Sequence, residues 1–166
     1  MLFYDSFKPE VQSAWSKAQR IHHISPKSVT NKQIFTERLE EVQSIIDKTN
    51  LVVAYNAAFD FRFLEAQGIN LSGKQYVCAM ESFSNSFMRS FRFGKSAKWK
   101  SLESCAAFFD IPAAGAHDAL TDARLTLVCF KAMLIDKRFS VHPKKWKNST
   151  SFSCFGAGNN HSANCS

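Results

Sequence analysis

The stretch Leu51-Val52-Val53-Ala54-Tyr55-Asn56-Ala57-Ala58-Phe59-Asp60-Phe61-Arg62-Phe63-Leu64 changes its hydrophobic period halfway along. Leu51 to Tyr55 is a continuous apolar run with β-branched residues at its centre, the pattern of a buried strand. From Phe59 to Gln67 the apolar residues take helical spacing, and Gly68 stands where a left-handed residue closes a helix. A buried strand that feeds a helix is the repeating unit of α/β layered proteins.

Working outward, the alternation continues. Ile34, Phe35, Leu39, Val42, Ile45 and Ile46 share one helical face, with Thr30 or Asn31 as the expected N-cap. Tyr76-Val77-Cys78-Ala79 reads as a second short strand, and Leu2-Phe3-Tyr4 as the end of another. Ser101 opens a helix through Leu102, Cys105, Ala106 and Phe109, which Pro112 stops. Asp118 caps a last helix through Leu120, Ala123, Leu127, Phe130 and Leu134. The expected domain covers residues 1–136. Residues 137–166 read as a basic, disordered tail, because 148–166 have no hydrophobic period and little to bury.

Composition narrows the class. The chain has 166 residues, 45% of them hydrophobic and 21% charged, enough for one domain with a core of its own. No apolar run approaches the ~20 residues of a membrane span, and the first residues lack the basic and apolar regions of a secretory signal. A cytoplasmic protein without membrane contact is expected. Five scattered cysteines with no C-x-x-C pair argue against a disulfide framework or a four-cysteine zinc site. Cys78, Cys105 and Cys129 lie in apolar runs and are expected to be buried thiols.

The net charge is +7, and five of the cations, Lys137, Arg138, Lys144, Lys145 and Lys147, follow the last acid, Asp136. A second block, Arg89, Arg92, Lys95, Lys98 and Lys100, contains no acid and is interleaved with Phe87, Phe91, Phe93 and Trp99. Cations among stackable rings suit a nucleic-acid strand. The same residues also suit a solvated helix and loop with core phenylalanines, and composition leaves both open.

Two segments carry chemistry. Asp60 follows the strand at 51–55 and is flanked by Phe59, Phe61 and Phe63, so its carboxylate is expected to leave the apolar face. Read alone it fits two roles: a site residue at the end of a sheet, or a first-turn acid favoured by the helix dipole. The second segment is His117-Asp118-Ala119-Leu120-Thr121-Asp122, which follows the small residues Ala113-Ala114-Gly115-Ala116. A histidine beside a fixed carboxylate suits general-base work at a metal, and equally suits a helix-capping cluster.

Together the two segments are specific. Residues 55–64 closely resemble the second motif of the DEDDh 3′–5′ exonucleases, the group of ribonuclease T and the proofreading subunit of bacterial DNA polymerase III. His117 followed five residues later by Asp122 resembles their third motif. Residues 18–25 are similar to the family's Ile-His-Gly-Ile-Thr region, and Lys100-Ser101-Leu102 to the lead-in of its penultimate helix. The resemblance covers residues 1–136.

It implies an α/β, ribonuclease H-like exonuclease fold, a mixed sheet with flanking helices. It also implies hydrolysis from the 3′ end of DNA or RNA with two Mg²⁺ or Mn²⁺ ions. Asp60 and Asp122 are the implied metal ligands and His117 the implied base. Asn56 and Phe59 are implied to shape the terminal-nucleotide pocket, while Arg89, Arg92, Lys95 and Lys98 are the candidate backbone contacts. The family's first motif, Asp-x-Glu on its first strand, has no counterpart here. The fold is therefore expected to lack its first two strands, and activity of this chain is in question. The alternatives are a non-catalytic module that binds nucleic acid or a polymerase, a chain completed by a second copy, and a fragment without function.

Overall fold

The computed structural model describes residues 3–10, 14–91, 99–113 and 118–147, with the side chains of Ala18 and residues 88–91 left aside. In chain order the elements are α1 (Ser16–His22), α2 (Pro26–Val29), a 3-10 turn (Phe35–Arg38), α3 (Leu39–Lys48), β1 (Leu51–Ala54), α4 (Ala57–Ala66), β2 (Gln75–Cys78), α5 (Ala79–Phe91), α6 (Leu102–Phe108), α7 (Ala119–Ile135) and β3 (Lys144–Lys145).

Among the described residues the sheet has three strands in the order β1-β2-β3. β1 and β2 run parallel, with Val52 beside Tyr76 and Val53 beside Val77, and β3 returns antiparallel to β2. The parallel pair is joined by α4, the crossover helix that parallel strands require. Because side chains alternate across a strand, β1 separates two cores. Val52 and Ala54 pack with Val42, Ala57, Phe61, Ile69 and Leu71 under α3 and α4. Tyr55 turns to the other face, against Phe83, Cys105, Leu125, Cys129 and Met133 of α5, α6 and α7. Helices thus cover both faces of a small mixed sheet.

Local chemistry explains most element ends. Ser101 and Asp118 accept from the backbone N–H groups of Ser104 and Thr121, as their sequence positions suggest. Gly68 takes φ +95° after α4, a conformation that favours glycine, and a Cβ there would sit 3.0 Å from Leu39 Cδ1. The helix expected from a cap at Thr30 or Asn31 begins later, as a 3-10 turn at Phe35 leading into Leu39. The cap signal belongs instead to Ser25, which accepts from Ser28 N–H and opens α2 at Pro26. Phe3 and Tyr4 lie outside any strand.

The largest departure is at the C-terminal side. Composition places the end of the domain at 136, yet the packed structure runs on to 147. Phe139 is buried and stacks on Phe83 at 5.7 Å and 8°. Trp146 packs edge-on against Phe61 (5.0 Å) and Tyr76 (5.5 Å), and its indole N–H donates to Glu65 at 2.7 Å. Phe139 and Trp146 anchor a segment whose lysines are exposed. Residues 148–166 lie outside the described residues.

β1 also departs from its expected burial. All four of its residues are only half-buried, because β2 covers one of its edges and no described strand covers the other.

Candidate functional site

The site is built where β1 gives way to α4. Asn56 is exposed, and its carbonyl accepts from Phe59 N–H (3.0 Å) and Asp60 N–H (3.2 Å), which turns the chain into the helix. α4 buries Ala57 and Phe61. Phe59 and Phe63, on the opposite helical face, are 67% and 58% exposed. Only the central phenylalanine of the Phe-x-Phe-x-Phe run therefore enters the core. Asp60 adjoins the buried face, is half-buried, and burial pushes its carboxyl above the ordinary carboxylate range. A carboxylate desolvated in this way favours a proton or a metal ion over free charge.

The second part is the start of α7, which packs against β1 as α4 does. Asp118 caps it, accepting from Thr121 N–H and Oγ1, each at 3.0 Å. The Tyr4 hydroxyl donates to the same carboxylate at 2.7 Å, across 114 residues of sequence. That hydrogen bond, more than the cap itself, holds the Asp118 carboxyl below its ordinary value. Asp122 follows one turn later, half-buried, its N–H bonded to the Asp118 carbonyl at 2.9 Å. Asp118 is thus the capping residue, and Asp122 lies one turn further into the helix. Sequence reading missed Tyr4 because a single tyrosine carries no periodic signal of a contact so far along the chain.

A third part joins the end of β1 to the basic block. The Tyr55 hydroxyl reaches the carbonyl oxygens of Lys100 (2.9 Å) and Ser101 (2.7 Å), and burial raises its pKa. Lys100 N–H donates to the buried Ser84 hydroxyl at 3.1 Å, and the Lys100 ammonium lies 4.9 Å from the Phe87 ring centroid. Lys100 is therefore fixed at both backbone and side chain beside the exposed Trp99. Arg89 belongs to the last turn of α5, where only its backbone is described. Arg92, Lys95, Lys98 and His117 lie outside the described residues. Cys78, Cys105 and Cys129 are free, buried thiols, as their apolar surroundings suggest.

The structure places Asp60 and Asp122 on two helices that pack on one strand. Among the described residues, however, no group of three or more histidine, cysteine, aspartate or glutamate side chains is gathered for a metal ion. Hard divalent cations at phosphates take several oxygen ligands, so this donor set alone does not fit a two-metal centre.

Comparison with known proteins bears on the same residues. The profile of an exonuclease family, RNase T, matches residues 4–130, a span that includes both parts of the site. In three dimensions the chain is similar to the crystal structure of cell-death related nuclease 4, with a TM-score of 0.64 and 19% identity. The match covers 84% of this chain and 52% of that one, so the chain spans about half the length of that nuclease. No curated protein matches the sequence. The fold is the α/β, ribonuclease H-like one, with a mixed sheet between helices.

Proposed function

The chain belongs to the RNase T exonuclease family, and from that premise we propose that it is a domain for the 3′ ends of DNA or RNA, built for divalent-metal-dependent 3′–5′ hydrolysis. The observation that carries the reading is the family match across both parts of the site, with half-buried Asp60 at the end of a parallel strand. Ligand sites of α/β sheets lie at that end of the strands.

In this reading Asp60 and Asp122 are the chain's contribution to the metals, Mg²⁺ or Mn²⁺, which would polarise the phosphate and activate water. His117 is the base, by its position in the motif. Exposed Phe59 offers a face for the terminal base, and Asn56 a polar group beside it. Lys100, together with Arg89, Arg92, Lys95 and Lys98, supplies cations for the backbone. The described residues hold no membrane-spanning helix, and a cytoplasmic setting fits the nucleic-acid substrate.

A second reading is favoured by one observation, the lack of any described three-ligand group. It is a nucleic-acid-binding module without catalysis. Labelled single-stranded DNA and RNA, with Mg²⁺ or Mn²⁺, separate the two. Both readings expect binding that falls steeply with salt. The enzyme reading expects any release to start at the 3′ end and to vanish in Asp60→Asn, whereas the module reading expects no release under any condition. Absence of binding to either nucleic acid overturns both.

A further inference from the structure

We infer that Trp99 is a stacking platform for an unpaired base of the bound strand, and that the Tyr55 hydroxyl is the strut that positions it. The inference rests on the nucleic-acid reading and adds the residue that selects an unpaired strand.

The three tryptophans are used differently. Trp15 and Trp146 donate their indole N–H groups within the fold, to the Ile24 carbonyl and to Glu65, each at 2.7 Å. Trp99 makes no hydrogen bond or ring contact among the described residues, and it is 54% exposed. A lone exposed apolar residue needs no explanation by itself. What sets Trp99 apart is the main chain it stands on. The next residue, Lys100, donates its N–H to the fully buried Ser84 hydroxyl at 3.1 Å, and its carbonyl accepts from the Tyr55 hydroxyl at 2.9 Å. Its ammonium lies 4.9 Å from the Phe87 ring centroid. The Tyr55 hydroxyl also reaches the carbonyl of Ser101, the cap of α6, at 2.7 Å. An exposed ring on an anchored main chain is ready for a partner that need not first order a loop.

The anchor also fixes where the ring stands. Tyr55 follows β1 directly, and its own carbonyl accepts from Met80 N–H at 2.9 Å. The next residue, Asn56, accepts from Asp60 N–H. One tyrosine side chain and one hydrogen bond therefore link the start of the Asp60 helix to Lys100. Two exposed rings, Phe59 and Trp99, are thus tied to the same strand end.

The chemistry of the occupant follows from the surroundings. No acid stands between Glu81 and Glu103, and Arg89, Arg92, Lys95, Lys98 and Lys100 fall inside that interval. A flat ring among cations suits a polyanion that carries flat rings of its own. Bases inside a duplex are covered by their neighbours, so an unpaired strand is the form that offers a free face.

Binding of a labelled oligothymidine to the full chain is measured by fluorescence anisotropy, beside a blunt duplex of equal length and inorganic polyphosphate. In Trp99→Ala the single-strand affinity should fall about tenfold, as loss of one stacked base does. Duplex and polyphosphate affinities should not change, and Trp99→Phe, which keeps a ring, should recover most of the loss. Tyr55→Phe keeps the buried ring and removes the strut. Its loss of affinity should vanish in the Trp99→Ala background, whereas a general loosening of the core would persist there. Strands with one abasic site, placed at each position in turn, locate the base. One internal position should lose affinity in the wild type and not in Trp99→Ala.

Equal single-strand affinity of the wild type and Trp99→Ala overturns the platform. A matching loss for polyphosphate does so too, because it makes Trp99 a support for the cations. A loss by Tyr55→Phe that persists without Trp99 overturns the strut. Absence of Asp60-dependent release from the 3′ end overturns the exonuclease reading alone, since Trp99-dependent binding survives that result. Absence of all binding overturns both.

Discussion

Trp146→Ala is expected to cost roughly 3 kcal/mol of stability, although composition assigns Trp146 to a tail. The side chain closes two edge-on ring contacts, with Phe61 at 5.0 Å and Tyr76 at 5.5 Å, each worth ~0.5–1.5 kcal/mol beyond area burial. Its indole donates to Glu65 at 2.7 Å, a bond worth about 1 kcal/mol net at a half-exposed position. Lost apolar burial brings the sum to the lower end of the ~3–5 kcal/mol range for truncating a large aromatic. Trp146→Phe keeps a ring and loses the hydrogen bond, so about 1 kcal/mol is expected. Urea titration by circular dichroism measures both, and thermal midpoints should fall by about 6–12 °C for the alanine variant. Phe61 and Glu65 belong to α4, the helix that carries Asp60, so the alanine variant should also loosen the site and weaken nucleic-acid binding at 25 °C. A midpoint unchanged within ~0.5 kcal/mol would falsify the view that residues 137–147 belong to the folded domain.

Asp60→Asn should stabilise the metal-free fold at neutral pH. Burial raises the Asp60 carboxyl, so its ionised form weighs against folding, and wild-type stability from this group should fall as pH rises through the raised value; equal denaturation midpoints for the two proteins at pH 7 would contradict this. Asp118 has the opposite sign, because the Tyr4 and Thr121 bonds lower its pKa. Its contribution is present above the ordinary carboxylate value and disappears as pH falls through the lowered one, so the denaturation midpoint of the wild type should drop more over that window than that of Asp118→Asn, a cap that does not titrate. Phe59→Ala, at a 67% exposed ring, should leave stability within about 0.5 kcal/mol. Its affinity for single strands should fall by ~1–3 kcal/mol; unchanged affinity in a salt titration would move the base-stacking surface elsewhere. Cys78, Cys105 and Cys129 are buried and should escape alkylation until the chain is denatured, as peptide mass mapping can show.

The sequence alone determined the strand–turn–helix unit at 51–66 and the caps at Ser101 and Asp118, while Asp60 and Asp122 stand as candidate ligands through the family resemblance of their motifs. These are local properties: a period, a capping side chain, a motif of fixed spacing, each readable within a dozen residues. It expected the Asp60 carboxylate to leave the apolar face, yet Asp60 is half-buried, because three alternating phenylalanines do not say which one the helix turns inward. Phe61 does so through its contact with Tyr76 and Trp146. Composition likewise counted the lysines of residues 137–147 and could not weigh Phe139 and Trp146, whose value depends on the rings they meet on α4, α5, α6 and β2. The Tyr4–Asp118 bond joins residues 114 positions apart, and no local pattern encodes such a pair. Tertiary structure also decided the state of β1. Its apolar run reports how it is suited to be buried, but only the strand order shows that one edge has no partner strand among the described residues. Burial is a property of neighbours, and for this strand the neighbours among the described residues are on one side.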